Sequence, residues 1–87
     1  MRGNQGEPVE VWLRNERPAR FVWRGRMYTV IFVLDRRRVP PQAPASPDSP
    51  GRERWIVDAS PGRAVPAARY ELSQDLETDR WTLSRVN

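Results

Sequence analysis

Arginine is the residue type best able to do chemistry in this sequence, and it gathers in two places. All fifteen basic residues are arginine, and the chain contains no His, Cys or Lys. A guanidinium group binds phosphate or carboxylate through two parallel hydrogen bonds and stacks on aromatic rings. Five arginines surround the first two predicted turns and three precede a proline-rich stretch: Arg14, Arg17, Arg20, Arg24, Arg26, Arg36, Arg37 and Arg38. This pattern indicates anion binding rather than catalysis.

The charge distribution favours a polyanionic partner. The net charge is +4, and the isoelectric point is near 10.9. Residues 1–26 and 36–54 each carry +3, whereas residues 27–35 and 55–87 each carry −1. Trp12 lies on the polar side of its predicted strand beside Arg14, where an exposed indole is suited to stacking on a base. We therefore predict a nucleic-acid site in which Trp12 stacks and five arginines contact phosphate: Arg24, Arg26, Arg36, Arg37 and Arg38.

A second interpretation of the same residues is structural. Arginine stems cover tryptophan rings over a thin core, and acids such as Glu10, Glu16 and Asp35 neutralise the guanidinium groups. A GC-rich genome also encodes arginine in place of lysine, which explains the missing lysines without a binding role. The sequence leaves both interpretations open.

The acidic residues are weaker candidates for chemistry. Asp75, Glu77 and Asp79 alternate like part of a calcium loop but lack its glycine and its distal glutamate, so we predict a solvated hairpin and no metal site. Asp35 and Asp58 end or interrupt apolar strands, where burial would perturb a carboxyl group, yet nothing in the sequence brings them together. We predict no catalytic residue, no cofactor and no enzymatic activity.

Alternating apolar and polar residues predict an all-β fold. Val9, Val11 and Leu13 alternate with Glu10 and Trp12, which is the period of a half-buried strand. Similar segments follow, so we expect six strands near residues 9–14, 19–23, 27–35, 53–60, 68–73 and 80–86. Short connections between them predict a small antiparallel meander, either a bent sheet or a partly closed barrel of about five to six strands.

Two features of the predicted strands matter for the site. Residues 27–35 are nearly all apolar and rich in β-branched side chains, which favours a long central strand, covered on both faces or curled around a barrel, over a buried helix. Arg24 and Gly25 are predicted to form a tight hairpin turn, and residues 15–18 an earlier turn. The four Trp, two Tyr and two Phe residues are expected to supply much of the core.

The chain is predicted to be one β domain, residues 1–87, with a flexible proline-rich loop at residues 39–52. That loop holds five of the nine prolines, which cannot donate ladder hydrogen bonds. No apolar run is long enough to span a bilayer, and the N-terminal residues lack the hydrophobic stretch of a signal peptide. We expect a cytoplasmic protein that does not bind membranes and is a monomer or a weak homo-oligomer.

Several segments resemble an uncharacterised bacterial family of small β domains. The resemblance is carried by residues 8–12, by the string Arg-Pro-Ala-Arg-Phe-Val-Trp-Arg-Gly-Arg-Met-Tyr at residues 17–28, and by residues 70–72 and 81–86. Such domains occur in GC-rich bacteria, free-standing or attached to the C-terminus of inactive Y-family-polymerase-like proteins of mutagenic repair. The family supplies no catalytic or ligand residues to carry over, and the proline-rich insertion at residues 39–52 departs from its pattern.

Together these observations predict a non-enzymatic accessory module that binds nucleic acid or associates with proteins of DNA replication or repair. The alternative is a protein-interaction module that uses a sheet edge or the exposed Trp12, without contacting nucleic acid.

Overall fold

The fold is a closed barrel of six antiparallel strands. The computed structural model describes residues 6–40 and 50–86. Each strand pairs with the next, and the first also pairs with the last, so the sheet closes. The strands are β1 (Glu7–Arg14), β2 (Arg17–Trp23), β3 (Arg26–Val39), β4 (Arg52–Ser60), β5 (Ala68–Asp75) and β6 (Arg80–Arg85). The prediction of a small antiparallel all-β meander is confirmed. The described part of the chain contains no helix that could cross a membrane.

Aromatic side chains fill the centre of the barrel. The rings of Phe21 and Tyr28 stack in parallel with centroids 5.0 Å apart, and Tyr70 meets both rings edge-on at 5.8 and 5.7 Å. Such arrangements stabilise the core beyond the contribution of the apolar area that the rings bury. The buried apolar residues are Phe21, Trp23, Tyr28, Trp55, Val57, Ala59, Tyr70, Leu72, Trp81 and Leu83. Six of the eight aromatic residues therefore belong to the core, and Trp12 and Phe32 do not.

The first two hairpin turns have positive backbone φ at both central residues. The values are 54° and 65° for Asn15 and Glu16, and 53° and 77° for Arg24 and Gly25. Two consecutive positive values are typical of the type I′ turn, whose twist matches that of paired strands. The turn predicted at residues 15–18 is shorter than expected, because Arg17 already begins β2.

Strand β3 is longer and less covered than the sequence predicts. It extends to Val39, so the arginines at residues 36–38 belong to the strand and do not follow it. Its register against β4 shifts between Val30 and Phe32 and again between Val33 and Asp35. The expected coverage on both faces is wrong: Ile31, Phe32 and Leu34 are exposed. The alternative, a strand curled around a barrel, is observed.

The exposure of one side chain and the ends of the proline-rich loop also differ from the prediction. Leu13 was expected to face the core but is 49% exposed, although Pro18, its partner on β2, is buried. Val39 and Arg52, the predicted ends of the proline-rich loop, pair with each other in the sheet. Residues 41–49 of that loop lie outside the described residues.

The two phenylalanines provide a matched test of this core. We expect Phe21→Ala to lower the free energy of unfolding by about 3–5 kcal/mol, because a fully buried ring leaves a cavity. Phe32→Ala should change it by no more than about 0.5 kcal/mol, because that ring is 63% exposed. Urea unfolding followed by circular dichroism measures both values. Equal losses in the two variants would contradict the assignment of inner and outer faces.

Candidate nucleic-acid interface

A groove opens where β3 separates from β2. The pairing of these strands ends at Arg20 and Thr29, and further along β3 pairs with β4 alone within the described residues. The β1–β2 hairpin forms one wall and residues 29–33 of β3 form the other, enclosing about 930 Å³. We call this the arginine groove. Its lining residues are Trp12, Leu13, Arg14, Asn15, Arg17, Pro18, Ala19, Arg20, Thr29, Val30, Ile31, Phe32 and Val33.

The charge of the arginine groove is entirely positive. Arg14, Arg17 and Arg20 line it, and its lining contains no acidic residue. Among the described residues, no carboxylate lies within ion-pair distance of these three guanidinium groups. Arg14 and Arg17 are directly opposite each other across β1 and β2, a like-charge arrangement that destabilises a sheet. An anion entering the groove would therefore meet three guanidinium groups that have no carboxylate partner among the described residues.

Two exposed aromatic rings accompany these arginines. Trp12 is 47% exposed and Phe32 is 63% exposed, whereas the other three tryptophans are buried. Trp12 is the pairing partner of Arg20, and Arg20 is the partner of Thr29. Residues directly opposite each other on neighbouring strands point to the same face of the sheet. Trp12 and Arg20 thus share the outer face, and Phe32 flanks it from β3.

The structure does not bring together the two arginine groups predicted from the sequence. Arg24 and Arg26 lie at the β2–β3 turn, where β3 begins, and residues 36–38 lie at its far end. Ten residues separate Arg26 from Arg36, a path on the order of 30 Å along an extended strand. Trp12 lies next to neither of these groups, because its arginine neighbours are the ones that line the arginine groove.

Arg24 and Arg36 cover tryptophan rings as the structural interpretation predicts, but the acids that bind them are Glu7 and Glu53 and not Glu10, Glu16 or Asp35. The Arg24 guanidinium lies 4.6 Å from the Trp23 ring centroid and binds Glu7 through Nε–Oε1 and Nη2–Oε2 distances of 3.0 and 2.6 Å. Arg36 lies equally close to the Trp55 ring, and its Nε donates to Glu53 at 2.9 Å. Each arginine therefore covers a buried indole while a carboxylate holds it in place.

Glu7 also serves the core directly. Its Oε1 accepts a hydrogen bond from the indole Nε1 of Trp23 at 3.1 Å. The hydrogen bond from Arg24 holds the pKa of the Glu7 carboxyl below its ordinary value, and the bond from Trp23 acts in the same direction.

The other predicted phosphate contacts are less constrained. Arg37 is 4.0 Å from Asp35, and both side chains are largely exposed. Arg26 and Arg38 are exposed, with no carboxylate within ion-pair distance in the described part of the chain. A role of these residues in contacting phosphate stays a prediction.

The acidic candidates are used in local structure. Asp58 pairs with Arg69 at 3.1 Å, and Asp35 accepts the backbone N–H of Arg36 at 2.8 Å. Asp75 accepts two backbone N–H groups of its own turn, which lower the pKa of its carboxyl. The described residues contain no group of three acids placed to hold a metal ion.

The arginines of the groove belong to the cluster found in the sequence, but they are not among the five residues predicted to contact phosphate. Arg14, Arg17 and Arg20 were grouped with Arg24 and Arg26 because all surround the first turns, but only strand pairing shows which of them face one opening. Phe32 was missed entirely. It lies in an apolar run, and nothing in that run signals which side chain a register shift turns outward.

A family model described as Domain of unknown function (DUF6504) matches residues 2–87. The chain belongs to this family. The comparison with curated proteins finds no match, and neither does the comparison with solved structures. Membership accords with the resemblance to an uncharacterised small domain, and it supplies no residue roles. The function of this family member must therefore be argued from the arginine groove.

The contacts of Glu7 predict how stability depends on pH. Because folding lowers the pKa of this carboxyl, the ion pair stabilises the folded state above the ordinary glutamate pKa. That contribution is lost as the pH falls through the lowered value. We expect Glu7→Gln to be less stable than the parent chain at neutral pH, and the difference to shrink as the solution is acidified.

The measurement is urea unfolding over a series of pH values. Glu10→Gln is the matched control, because Glu10 lies on the same strand, is exposed, and forms no ion pair with a described residue. A constant difference between Glu7→Gln and the parent chain at every pH would show that the charge of Glu7 contributes nothing.

Proposed function

We propose that this chain is a non-enzymatic accessory module that binds nucleic acid through the arginine groove. The observation that carries the proposal is the meeting, in one opening, of three arginines without described carboxylate partners and two exposed aromatic rings. Guanidinium groups bind phosphate, and flat exposed rings stack on bases. Few other ligands use both properties at once.

The arginines beyond the groove favour a polymeric anion over a small one. Arg37 lies further along β3, and Arg54 is directly opposite it on β4, so both point to the same outer face, and both are exposed. A basic track of this kind follows the backbone of a nucleic acid rather than a single phosphate group.

We assign the module to DNA replication or repair, where it would act beside other proteins. The support is the resemblance of the sequence to small β domains attached to Y-family-polymerase-like proteins. A positively charged accessory domain next to such a protein would add contacts to the same nucleic acid and raise its effective affinity.

The salt dependence of binding tests the role of the arginines. We expect Arg17→Gln to weaken binding of an oligonucleotide about 12 nucleotides long and to reduce the slope of log K against log salt by about 0.7, the contribution of one phosphate on a single strand. Fluorescence anisotropy between about 50 and 200 mM salt measures that slope.

The matched control for that test is Arg63→Gln. Arg63 is exposed in the β4–β5 loop and does not line the groove, so its loss changes the net charge equally. Equal effects of the two substitutions would mean that only net charge matters. No binding by the parent chain at low salt would reject the nucleic-acid function.

A second candidate function is a protein-interaction module, and it has its own observation. Along residues 31–39, β3 pairs with β4 on one edge, and no other described strand pairs with its second edge. Ile31, Phe32 and Leu34 are exposed on that half of the strand. An unpaired strand edge beside apolar side chains can add a strand from a partner.

The candidate functions differ in their response to nuclease and to an edge substitution. If a protein partner docks on β3, a pull-down should survive nuclease and moderate salt, and Leu34→Arg should abolish it by placing a charge beside the added strand. Leu34→Arg should leave oligonucleotide affinity unchanged or slightly higher if nucleic acid is the ligand, because Leu34 does not line the groove.

A further inference from the structure

We infer that the ligand of the arginine groove is a single-stranded nucleic acid, with its bases stacked on Trp12 and Phe32 and its backbone over Arg20. This inference rests on the proposed nucleic-acid function and goes further, because arginines alone would serve a duplex equally well. It assigns the two aromatic residues the role of selecting single strands.

The arrangement of the three side chains supports this path. Arg20 lies on the central strand of the face, Trp12 lies opposite it on β1, and Phe32 flanks it from β3. The strand that carries Arg20 therefore lies between the strands that carry the two rings. With a backbone phosphate over Arg20, the base on one side of that phosphate can stack on Trp12 and the base on its other side can stack on Phe32.

Base pairing would prevent these contacts. In a duplex, each base is stacked between its neighbours, and an aromatic side chain reaches its face only if the base is unstacked or flipped out. The two rings would then remain exposed to water, and only phosphate contacts would form. A single-stranded nucleic acid can contact both the arginines and the aromatic rings that line the groove.

A second groove, on the other side of Trp12, indicates on which side of this residue the nucleic acid runs. About 590 Å³ opens between β1 and the start of β6, and its lining includes Trp12, Glu10, Asp79 and Arg80. The two carboxylates there repel phosphate, whereas the arginine groove carries no acid. Trp12 therefore separates a surface that attracts the backbone from one that does not.

The experiment compares three probes of equal length: an oligothymidylate of about 12 nucleotides, the same chain with abasic sites in place of bases, and a duplex. We expect the oligothymidylate to bind most tightly and to quench tryptophan fluorescence, since Trp12 is the exposed tryptophan among the four. The abasic probe retains the phosphates and should bind more weakly without quenching.

Variants of the two rings test the stacking itself. Trp12→Leu and Phe32→Leu should each weaken oligothymidylate binding by about 5- to 150-fold, the range for loss of one stacked base, while leaving the abasic probe unchanged. Trp12→Phe and Phe32→Tyr keep a ring and should recover most of the affinity. Circular dichroism checks that each variant is folded, which is expected because both residues are exposed.

The outcomes separate this inference from the function on which it rests. Equal affinity for the oligothymidylate and the abasic probe, or tighter binding of the duplex, would overturn the single-strand inference and leave the nucleic-acid function standing. Binding of no probe at low salt would overturn both. Loss of affinity for all probes alike in Trp12→Leu would show that Trp12 supports the groove and does not stack.

Discussion

The register shifts of β3 are the constraint on which the rest of the structure depends. A strand keeps two neighbours only while its hydrogen-bonding register matches both, and an inserted residue breaks the match and bends the strand. Beyond Thr29, β3 loses β2 and keeps β4, with shifts that bracket Ile31 and Leu34. That bend carries one strand around the barrel so that six strands can close. The gap left beside β2 is the arginine groove.

Two sets of arginines differ physically in a way that composition alone does not show. Arg24 and Arg36 each lie over a buried indole and are held by a carboxylate seventeen residues away in the chain. In so small a barrel these arginines cover indole rings that apolar side chains leave uncovered, because a guanidinium group stacked on a ring excludes water from it. Arg14, Arg17 and Arg20 have no such partner among the described residues. Only the second set keeps its charge available to a ligand.

Periodicity predicted most of the fold but could not predict the site. Where a strand contains no inserted residue, as in β4, β5 and β6, the alternation of apolar and polar residues agrees with the inward positions of Trp55, Leu72 and Leu83. It did not predict the exposure of Leu13, and the apolar run of β3 has no alternation that could place Phe32, which lies beside a register shift. Such shifts follow from pairing between distant segments, which a single strand's sequence does not contain. The same reason applies to the groove, which opens where the pairing of β2 with β3 ends.

Features that lower stability converge on the groove, and their convergence favours a binding function over mere solubility. Arg14 faces Arg17 across the strands, and Phe32 exposes most of its ring. Each breaks a local preference of folded chains, since a like-charge pair destabilises a sheet and a large apolar ring is normally covered. A domain of this size has a single core and little stability to spare. Arginines needed only for solubility would be as effective dispersed and paired with acids, as Arg69 is with Asp58. Their concentration beside unneutralised neighbours and bare rings is explained if a ligand supplies the missing negative charge and the missing stacking partners.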